Sequence, residues 1–396
     1  MHEWLTDWGG SEDVTRLIID CFPQASLLGI IDFLSKENRQ KLNVADIKTT
    51  FLQNAPLIKK NFWKYLPLMP LAVESFDLSG SDIIISNSHA FAKGVLTTAE
   101  QMHVSYVQSP MRYAWDLHHQ YLNDYRLDKG IKSIIARWLF SRLRMWDRQT
   151  ANNVDMYLAN SHHVQRRIWR AYRRPSLVLY PPVRTERLLF QPKKEDFYVT
   201  VSRLVSYKRI DLIVDAFSAM PNRNLFVIGD GPELGNLRKR CPPNVNLLGW
   251  QSDEIVQSYL GAARAFIFAA HEDFGISPVE AQACGTPVIA YAEGGAGETV
   301  RDVRRLAEPT GLLFSTQTAA ALIEAVERFD HLSANIDPVM CRKWAEGFSE
   351  ARFKNALTMF MDEAWQWWRE DPSCMEKKML EAHLVAPAFL NSTSMM

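Results

Sequence analysis

Short apolar runs alternate with helical stretches along most of this chain, and this alternation is the feature that most constrains its fold. The runs have the length of buried strands and lie at residues 26–33, 82–86, 104–108, 155–160, 198–202, 225–229, 245–249, 265–269 and 287–291. Helices are predicted between them, for example over residues 209–220 and 252–262. The pattern predicts an α/β fold built on parallel sheets.

The length of the chain and one Pro-rich segment predict two domains. A chain of 396 residues is long enough for two domains of similar size. The segments YPPV (180–183) and QPKK (191–194) are typical of a linker. We therefore predict Rossmann-like domains at 1–183 and 184–350, facing a cleft, with a helix at 351–370 returning to the first domain and a loose tail at 371–396. Such sheets bind ligands at the carboxyl ends of their strands, which suits a nucleotide-bearing ligand.

Composition excludes several classes of protein. With 47% hydrophobic residues the chain is not mainly disordered, and its 45 basic residues balance 45 acidic ones, so no nucleic-acid partner is expected. The five cysteines form no C-x-x-C pair, which argues against a disulfide scaffold or zinc site and fits a reducing cytoplasm. No run of about 18 apolar residues and no signal-peptide pattern is present, so we expect a cytoplasmic protein that does not span a membrane.

The segment from Glu272 to Glu280 has the strongest chemical pattern. It follows the predicted strand 265–269, so it should lie where a parallel sheet binds its ligand. Ser277 is expected at the N-cap of a short helix, with Glu280 at its N3 position and Gly285 at its end. Glu280 therefore fits a capping role as well as a binding role. Glu272 lies in a loop, where a carboxylate suggests a ligand rich in hydroxyl groups.

Three further loops follow predicted strands in the second half. Lys208 and Arg209 lie at a predicted helix N-terminus, which a bound anion would favour, although a solvated basic loop fits equally. The turn Gly229-Asp230-Gly231-Pro232 lacks G-x-G-x-x-G spacing, so a dehydrogenase interpretation is weak. The turn at Gly294-Gly295 is either an anion-binding nest or a plain turn.

Taken together, these four segments resemble the donor-binding half of glycosyltransferase family 4, whose members are retaining enzymes of the GT-B fold that use nucleotide-diphosphate sugars. The matching motifs are S-R-L…Y-K at 202–208, G-D-G-P at 229–232, E-x7-E at 272–280 and G-G…E-T at 294–299. The resemblance implies that Arg203 and Lys208 hold the diphosphate, that Glu280 binds the ribose and that Glu272 contacts sugar hydroxyls. It also implies a donor-binding role for the residues Gly229, Gly231, Phe274, Gly275, Ile276, Ser277, Gly294 and Gly295.

The first half resembles the bacterial O-antigen mannosyltransferase branch of that family, and the resemblance covers residues 2–368. The matching segments are W-L-T…G-G-S-E at 4–12, S-N-S-H-A at 86–90 and S-P-M-R-Y-A-W-D at 109–116. The resemblance implies that Gly9 and Gly10 bind the donor and that His89 contacts the donor sugar. Because only three residues precede Trp4, we expect either a start further upstream or an N-terminal sheet without its first strand.

The implied activity is transfer of mannose from GDP-mannose to a lipid-linked oligosaccharide in O-antigen-like synthesis, with retained anomeric configuration. The implied catalytic residues are Arg203, Lys208, Glu272 and His89. No D-x-D pair occurs in the expected region, so we expect no metal cofactor, and cations with helix-end amides would stabilise the leaving diphosphate. Two alternatives remain: a nucleotide-sugar 2-epimerase and a non-catalytic nucleotide-sugar-binding subunit.

Two segments of the first half have the mixture of cations and aromatic rings that favours an anionic membrane surface. Residues 59–65 (KKNFWKY) interleave three lysines with three aromatic side chains, and residues 137–148 repeat the mixture on a predicted helix. Between Lys129 and Arg174 there are eleven Lys or Arg residues and two acids. The alternative for the helix is that Trp138, Phe140 and Trp146 belong to the core, with solvated cations around them.

Overall fold

The computed structural model describes residues 1–44 and 46–385, which form two compact units. The first unit contains residues 1–181 together with the chain from Phe353 onward, and the second contains Pro182–Arg352. The chain thus passes from one unit to the other within the YPPV segment. It returns at the beginning of the helix that was predicted at 351–370.

All paired strands in the described chain are parallel. They are β1 His2–Leu5, β2 Leu27–Asp32, β3 Ile47–Thr49, β4 Ile83–Ser88, β5 Met102–Val107, β6 Met156–Ala159, β7 Leu177–Val178, β8 Tyr198–Val201, β9 Leu225–Ile228, β10 Val245–Gly249, β11 Ala265–Phe268, β12 Val288–Tyr291 and β13 Gly311–Phe314. The predicted α/β class and every strand predicted from the apolar runs are confirmed.

Helices occupy most of the connections between strands. They are α1 Gly10–Cys21, α2 Lys36–Leu42, α3 Ile58–Asn61, α4 Met69–Glu74, α5 His118–Asp124, α6 Gly130–Thr150, α7 His162–Tyr172, α8 Ile210–Ser218, α9 Leu234–Arg240, α10 Asp253–Ala262, α11 Ile276–Ala283, α12 Ala296–Thr299, α13 Ala319–Leu332, α14 Pro338–Glu346, α15 Glu350–Glu370 and α16 Met375–Val385. None of these helices within the described residues is long and apolar enough to cross a membrane.

The first unit contains two sheets, with strand orders β1-β2-β3 and β4-β5-β6-β7. Strand β5 is buried along its whole length, as expected of a parallel strand covered on both faces. One face of β5 packs against Val14 and Leu17 of α1 and against Leu357 and Phe360 of α15. Helix α15 is therefore part of the first unit's core.

The second unit has one six-stranded sheet with the order β10-β9-β8-β11-β12-β13. Numbered from the first strand of the unit, this is the order 3-2-1-4-5-6 of a doubly wound Rossmann sheet. The order reverses between β8 and β11, which pair directly through Tyr198 and Ala265. Their carboxyl ends therefore open side by side at the topological switch point.

Two sequence-based expectations about the chain ends need correction. The first sheet does not lack its first strand, because His2–Leu5 pairs with β2 in the register His2↔Gly29. The prediction of a loose tail from residue 371 is wrong for 375–385, which form α16. Met375 and Met379 of α16 are buried in the same core as the inner face of α15, and this burial holds α16 in place. The rest of the predicted tail, 386–396, lies outside the described residues.

Candidate functional site

The two loops that meet at the switch point of the second unit carry the charged residues singled out from the sequence. Residues 202–209 follow β8 and lead into α8, and residues 269–275 follow β11 and lead into α11. Lys208 ends a short 3₁₀ turn, Ser206–Lys208, and its ammonium pairs with a carboxylate oxygen of Glu272. This pair joins the two loops, and both side chains are largely buried, with 18% and 16% of their surface exposed. The structure therefore brings two of the predicted catalytic residues together.

Arg209 follows Lys208 directly, but its guanidinium binds other residues than Glu272. Its guanidinium donates to Asp211 at 3.2 Å and to the amide oxygen of Gln317 at 3.2 Å. The amide nitrogen of Gln317 donates in turn to the carbonyl oxygen of Ala269, 2.8 Å away. Arg209 thus braces the end of β11, and of the two adjacent cations Lys208 is the one that faces Glu272.

Arg203 lies in the same loop as Lys208 and its side chain is exposed. The loop is fixed on either side of it, because the amide of Leu204 donates to the carbonyl of Asp230 at 2.9 Å and that of Ser202 donates to Ile228 at 3.0 Å. A fixed backbone with an exposed guanidinium suits a residue that waits for an anionic ligand.

The predicted donor-binding glycines lie where neighbouring loops touch. A Cβ at Gly229 would overlap the carbonyl oxygen of Ser202, and one at Gly231 would overlap that of Leu204. Both glycines have positive φ, 136° and 158° respectively. They therefore let the 229–233 loop press against the backbone that carries Arg203, which is a supporting role.

The glycine pair after β12 supports the other loop in the same way. Gly294 has φ 86°, and a Cβ there would overlap the carbonyl oxygen of Glu272. A Cβ at Gly295 would overlap the backbone of Phe274. The Gly295 amide donates to the Glu272 carbonyl at 2.9 Å. Close approach of two backbones explains why this turn contains two consecutive glycines.

Helix α11 begins two residues earlier than predicted, which changes the interpretation of two residues. Gly275, with φ 86°, occupies the N-cap, so Ile276 and Ser277 are the first two helical residues. Ser277 is therefore not the N-cap, and Glu280 lies in the second turn rather than at the N3 position of a capping box. Gly285, with φ 78°, follows the C-cap as predicted.

The N-terminal end of α11 is polar without a side-chain cap. None of the described side chains caps it, and the first amides of a helix have no partner within the helix. Such an end attracts anions. Phe274, directly before it, is buried against Phe348 with ring centroids 5.8 Å apart. The buried Phe274 ring thus anchors the residues that lie between Glu272 and the start of the helix.

His89 of the first unit lies just after β4 and is held by a residue that the sequence analysis missed. Its backbone amide donates to Oε1 of Glu3 at 2.8 Å, and its ring Nε2 lies 3.3 Å from Oε2 of the same carboxylate. The ring meets that of Trp4 edge-on, with centroids 4.8 Å apart. Desolvation lowers the pKa of His89, and this outweighs the opposite effect of Glu3. The imidazole is therefore neutral near pH 7.

The two glycines near the N-terminus begin helix α1. Gly9 is its exposed N-cap, and Gly10 is its first residue. In the first turn, Glu12 is buried and accepts from Ser11 at 2.9 Å while it pairs with His2 at 3.0 Å. Burial alone would raise the pKa of Glu12, but the contacts with His2 and Ser11 bring it below its usual value. This end of α1 thus carries a buried network of polar contacts around Glu12.

Comparison of the fold with solved structures defines its class. A structure of HepE from Anabaena in complex with UDP and glucose superposes with a TM-score of 0.64 over 91% of this chain and 99% of that chain, at 17% sequence identity. A lipopolysaccharide outer core galactosyltransferase, WaaB, superposes with a TM-score of 0.60 over 91% of this chain and 100% of that chain, at 16% identity. The fold is the GT-B fold, with two Rossmann-like domains.

The match to a known sequence family lies in the second unit. Residues 186–346 match the family of glycosyl transferases group 1. An uncharacterized glycosyltransferase of Methanocaldococcus jannaschii is 27% identical over 40% of this chain and 46% of its own length. The lipopolysaccharide core biosynthesis glycosyltransferase LpsE of Rhizobium meliloti is 27% identical over 35% of this chain and 40% of its own length. A third relative is a GDP-mannose-dependent monoacylated alpha-(1-6)-phosphatidylinositol monomannoside mannosyltransferase of Corynebacterium glutamicum. It is 37% identical over 25% of this chain and 30% of its own length.

The chain spans less than half the length of each of these three sequence relatives. The matched segment 186–346 lies inside the second unit and contains the loops at 202–209, 229–233, 269–275 and 292–295. The segment that is similar to glycosyl transferases group 1 therefore contains all four loops around the switch point.

Proposed function

We propose that this protein is a retaining glycosyltransferase that moves mannose from GDP-mannose onto a lipid-linked oligosaccharide in the synthesis of an O-antigen-like polysaccharide. The observation that carries the proposal is the Lys208–Glu272 pair at the switch point, beside the uncapped N-terminus of α11. A cation and helix amides suit a diphosphate, and the carboxylate suits sugar hydroxyls. One small site thus offers both kinds of group that a nucleotide sugar requires.

The main free-energy cost of this reaction is the negative charge that develops on the leaving diphosphate. The bond between the anomeric carbon and the β-phosphate oxygen breaks, and the acceptor oxygen bonds to the same face of the sugar. The acceptor proton passes to the departing phosphate. Lys208, the exposed Arg203 and the amides at the start of α11 would stabilise that phosphate. We propose that these groups act without a metal cofactor.

Binding of the donor would replace the Lys208–Glu272 pair by two new contacts. The diphosphate would take over the Lys208 ammonium, which leaves the Glu272 carboxylate to accept from sugar hydroxyls. In this proposal Glu280 binds the ribose and the amides of 274–276 line the sugar pocket. The role of His89 as a donor-sugar contact stays a prediction.

The choice of mannose and guanine rests on two kinds of support. The first is the resemblance of the first half to O-antigen mannosyltransferases. The second is the Corynebacterium glutamicum relative, whose name states dependence on GDP-mannose. The HepE structure was solved with UDP and glucose, so the nucleotide has to be tested directly. Thermal-shift measurements with GDP, UDP, ADP and their sugars should show the largest stabilisation with GDP-mannose.

Radiolabelled GDP-mannose and a lipid-linked acceptor test the reaction itself. We expect label in the lipid fraction, with the α configuration of the donor retained in the product. Free nucleotide sugar converted at C2 would indicate the epimerase, and binding without turnover would indicate the non-catalytic subunit. Either result would overturn the proposal.

Substitutions locate the activity in the site. Lys208→Met and Arg203→Ala should each lower turnover about 10²–10³-fold, as expected for loss of one group that stabilises the leaving charge. Lys239→Met removes an exposed lysine of α9 and is the matched control. Near-normal turnover of both site variants would contradict the phosphate assignment.

A lipid-linked acceptor also requires contact with a membrane. We propose a cytoplasmic protein that binds peripherally to the inner face of an anionic plasma membrane. In the segment 59–65, Lys59, Lys60 and Lys64 are exposed, as the membrane hypothesis needs. Phe62 and Tyr65, however, pack partly against the core of the first unit. This segment therefore offers charges but few free rings.

A further inference from the structure

Helix α6 has an apolar face that points away from the core of its own unit. Ile131, Ile134, Ile135 and Trp138 are each between 60% and 70% exposed. Their spacing of three, four and seven residues places them on one side of the helix. Four large apolar side chains with this spacing normally form the buried face of a surface helix.

The buried face of α6 is a different one. Ala136, Phe140 and Leu143 pack in the core of the first unit. Asp147, further along this face, is fully buried and pairs with Lys93 at 2.8 Å. The inner face therefore satisfies the fold without the isoleucines. The sequence-based alternative that Trp138 is a core residue is wrong, whereas the same alternative holds for Phe140.

The exposed apolar residues are flanked by cations and by no acid of the helix. Lys132, Arg137 and Arg142 are exposed on α6, and the guanidinium of Arg142 lies 5.5 Å from the centroid of the Trp138 ring. The one acidic residue of α6 is the buried Asp147. The whole chain carries a formal net charge of zero, so the excess of cationic side chains on this helix is a local feature.

We infer that α6 lies flat in the headgroup region of an anionic bilayer, with Ile131, Ile134, Ile135 and Trp138 inserted among the lipids. Apolar side chains bordered by cations are what such a surface binds, and Lys or Arg side chains can extend toward phosphates while their methylene groups cover apolar area. A second copy of the same face would bring like charges together, which disfavours self-association. The inference deepens the proposed function and rests on it for the membrane as the place of work.

Flotation with vesicles tests the inference on the full-length protein. Wild type should float with mixed phosphatidylcholine–phosphatidylglycerol vesicles and not with phosphatidylcholine alone, and added salt should weaken the binding. Ile135→Gln with Trp138→Gln should weaken binding to the mixed vesicles at least about tenfold, and Lys132→Glu with Arg142→Glu should do the same. Trp250→Gln, which removes a 75% exposed tryptophan of the second unit, should bind like wild type.

Further arms separate the competing explanations. All variants are solvent-exposed substitutions, and circular dichroism melts should match wild type. If the α6 variants melt normally and still float like wild type, the inference is wrong. Loss of flotation only in a triple variant, Lys59→Glu with Lys60→Glu and Lys64→Glu, would assign docking to the segment 59–65 instead. A dimer in sedimentation that the α6 substitutions dissociate, without any vesicle binding, would make the face a self-association surface and would also overturn the inference. Flotation without sugar transfer would refute the proposed function and leave the docking intact.

Discussion

Replacement of Glu3 by alanine should destabilise the first unit more than any other single change to a charged residue near His89. Glu3 is fully buried in β1. Its Oε1 accepts from the backbone amides of residues 89–92 and from the hydroxyl of Ser88 at 3.1 Å. One carboxylate therefore holds the whole turn that follows β4.

The size of the effect follows from the donors that lose their acceptor. A buried donor without a partner costs about 1–3 kcal/mol, and a bond to a charged acceptor is at the upper end of the range for hydrogen bonds. One oxygen cannot make five full bonds, so the contributions do not add. We expect a loss of about 3–5 kcal/mol in Glu3→Ala. Glu3→Gln keeps an acceptor oxygen but loses the charge, and should cost about 1–2 kcal/mol.

Urea unfolding and amide hydrogen exchange measure the two sides of this prediction. Unfolding gives the stability of the first unit, and exchange at residues 89–92 reports whether the turn itself opens. Glu12→Gln is the control, because it removes a second buried carboxylate that does not contact the turn through a hydrogen bond. A Glu3→Ala protein within about 0.5 kcal/mol of wild type, with unchanged protection at the turn, would refute the reasoning.

Three further outcomes can be checked independently. Burial lowers the pKa of His103 to about 3, so below about pH 6.5 the unfolded chain binds more protons than the folded one. Stability should therefore fall from pH 6.5 toward pH 3, by up to roughly 1.4 kcal/mol per pH unit. In His103→Asn, the urea midpoint should depend less steeply on pH over this range. Gly294→Ala should cost about 2–4 kcal/mol in thermal unfolding, because φ is 86° and the new Cβ would meet the Glu272 carbonyl, whereas Gly80→Ala, with nothing within 4 Å, should not. Dialysis against EDTA should leave mannosyl transfer unchanged, and a loss that Mg²⁺ or Mn²⁺ restores would contradict the metal-independent proposal.

The sequence predicts the order of elements well because hydrophobic periodicity is a local property. The strands β8 and β11 are short and mostly apolar, and the charged residues Arg203 and Glu272 come within four residues of their ends. The Rossmann topology then places both loops at one edge of the sheet. The meeting of Lys208 with Glu272 was thus implicit in the pattern, although their pairing with each other was not.

The features that sequence analysis missed depend on tertiary contacts. Strand β1 is short and includes His2 and Glu3, which have no apolar periodicity and are buried because α1 and the turn after β4 supply their partners. Helix α16 follows a segment without clear periodicity and is held through Met375 and Met379. The start of α11 is set by the positive φ of Gly275, which overrides the capping preference of Ser277. No local pattern carries this information.

The corrected start of α11 leads to the last prediction, which separates the two roles considered for Glu280. Since Glu280 lies in the second turn, its replacement by glutamine should leave the melting temperature within about one degree of wild type, because no capping box is lost. If the carboxylate accepts from the ribose hydroxyls, GDP affinity should fall about 10–100-fold, since hydrogen bonds to a charged group contribute about 1.5–3 kcal/mol.

Titration calorimetry with two nucleotides makes this test specific. Wild type should bind GDP more tightly than 2′,3′-dideoxy-GDP. Glu280→Gln should bind both nucleotides with the weaker of these two affinities, because the substitution and the missing hydroxyls remove the same contact and their effects do not add. Glu327→Gln, an exposed glutamate of α13, controls for the loss of one negative charge. If Glu280→Gln discriminates between the two nucleotides as wild type does, then the ribose is held by another residue, and if it also unfolds early, Glu280 stabilises α11 instead.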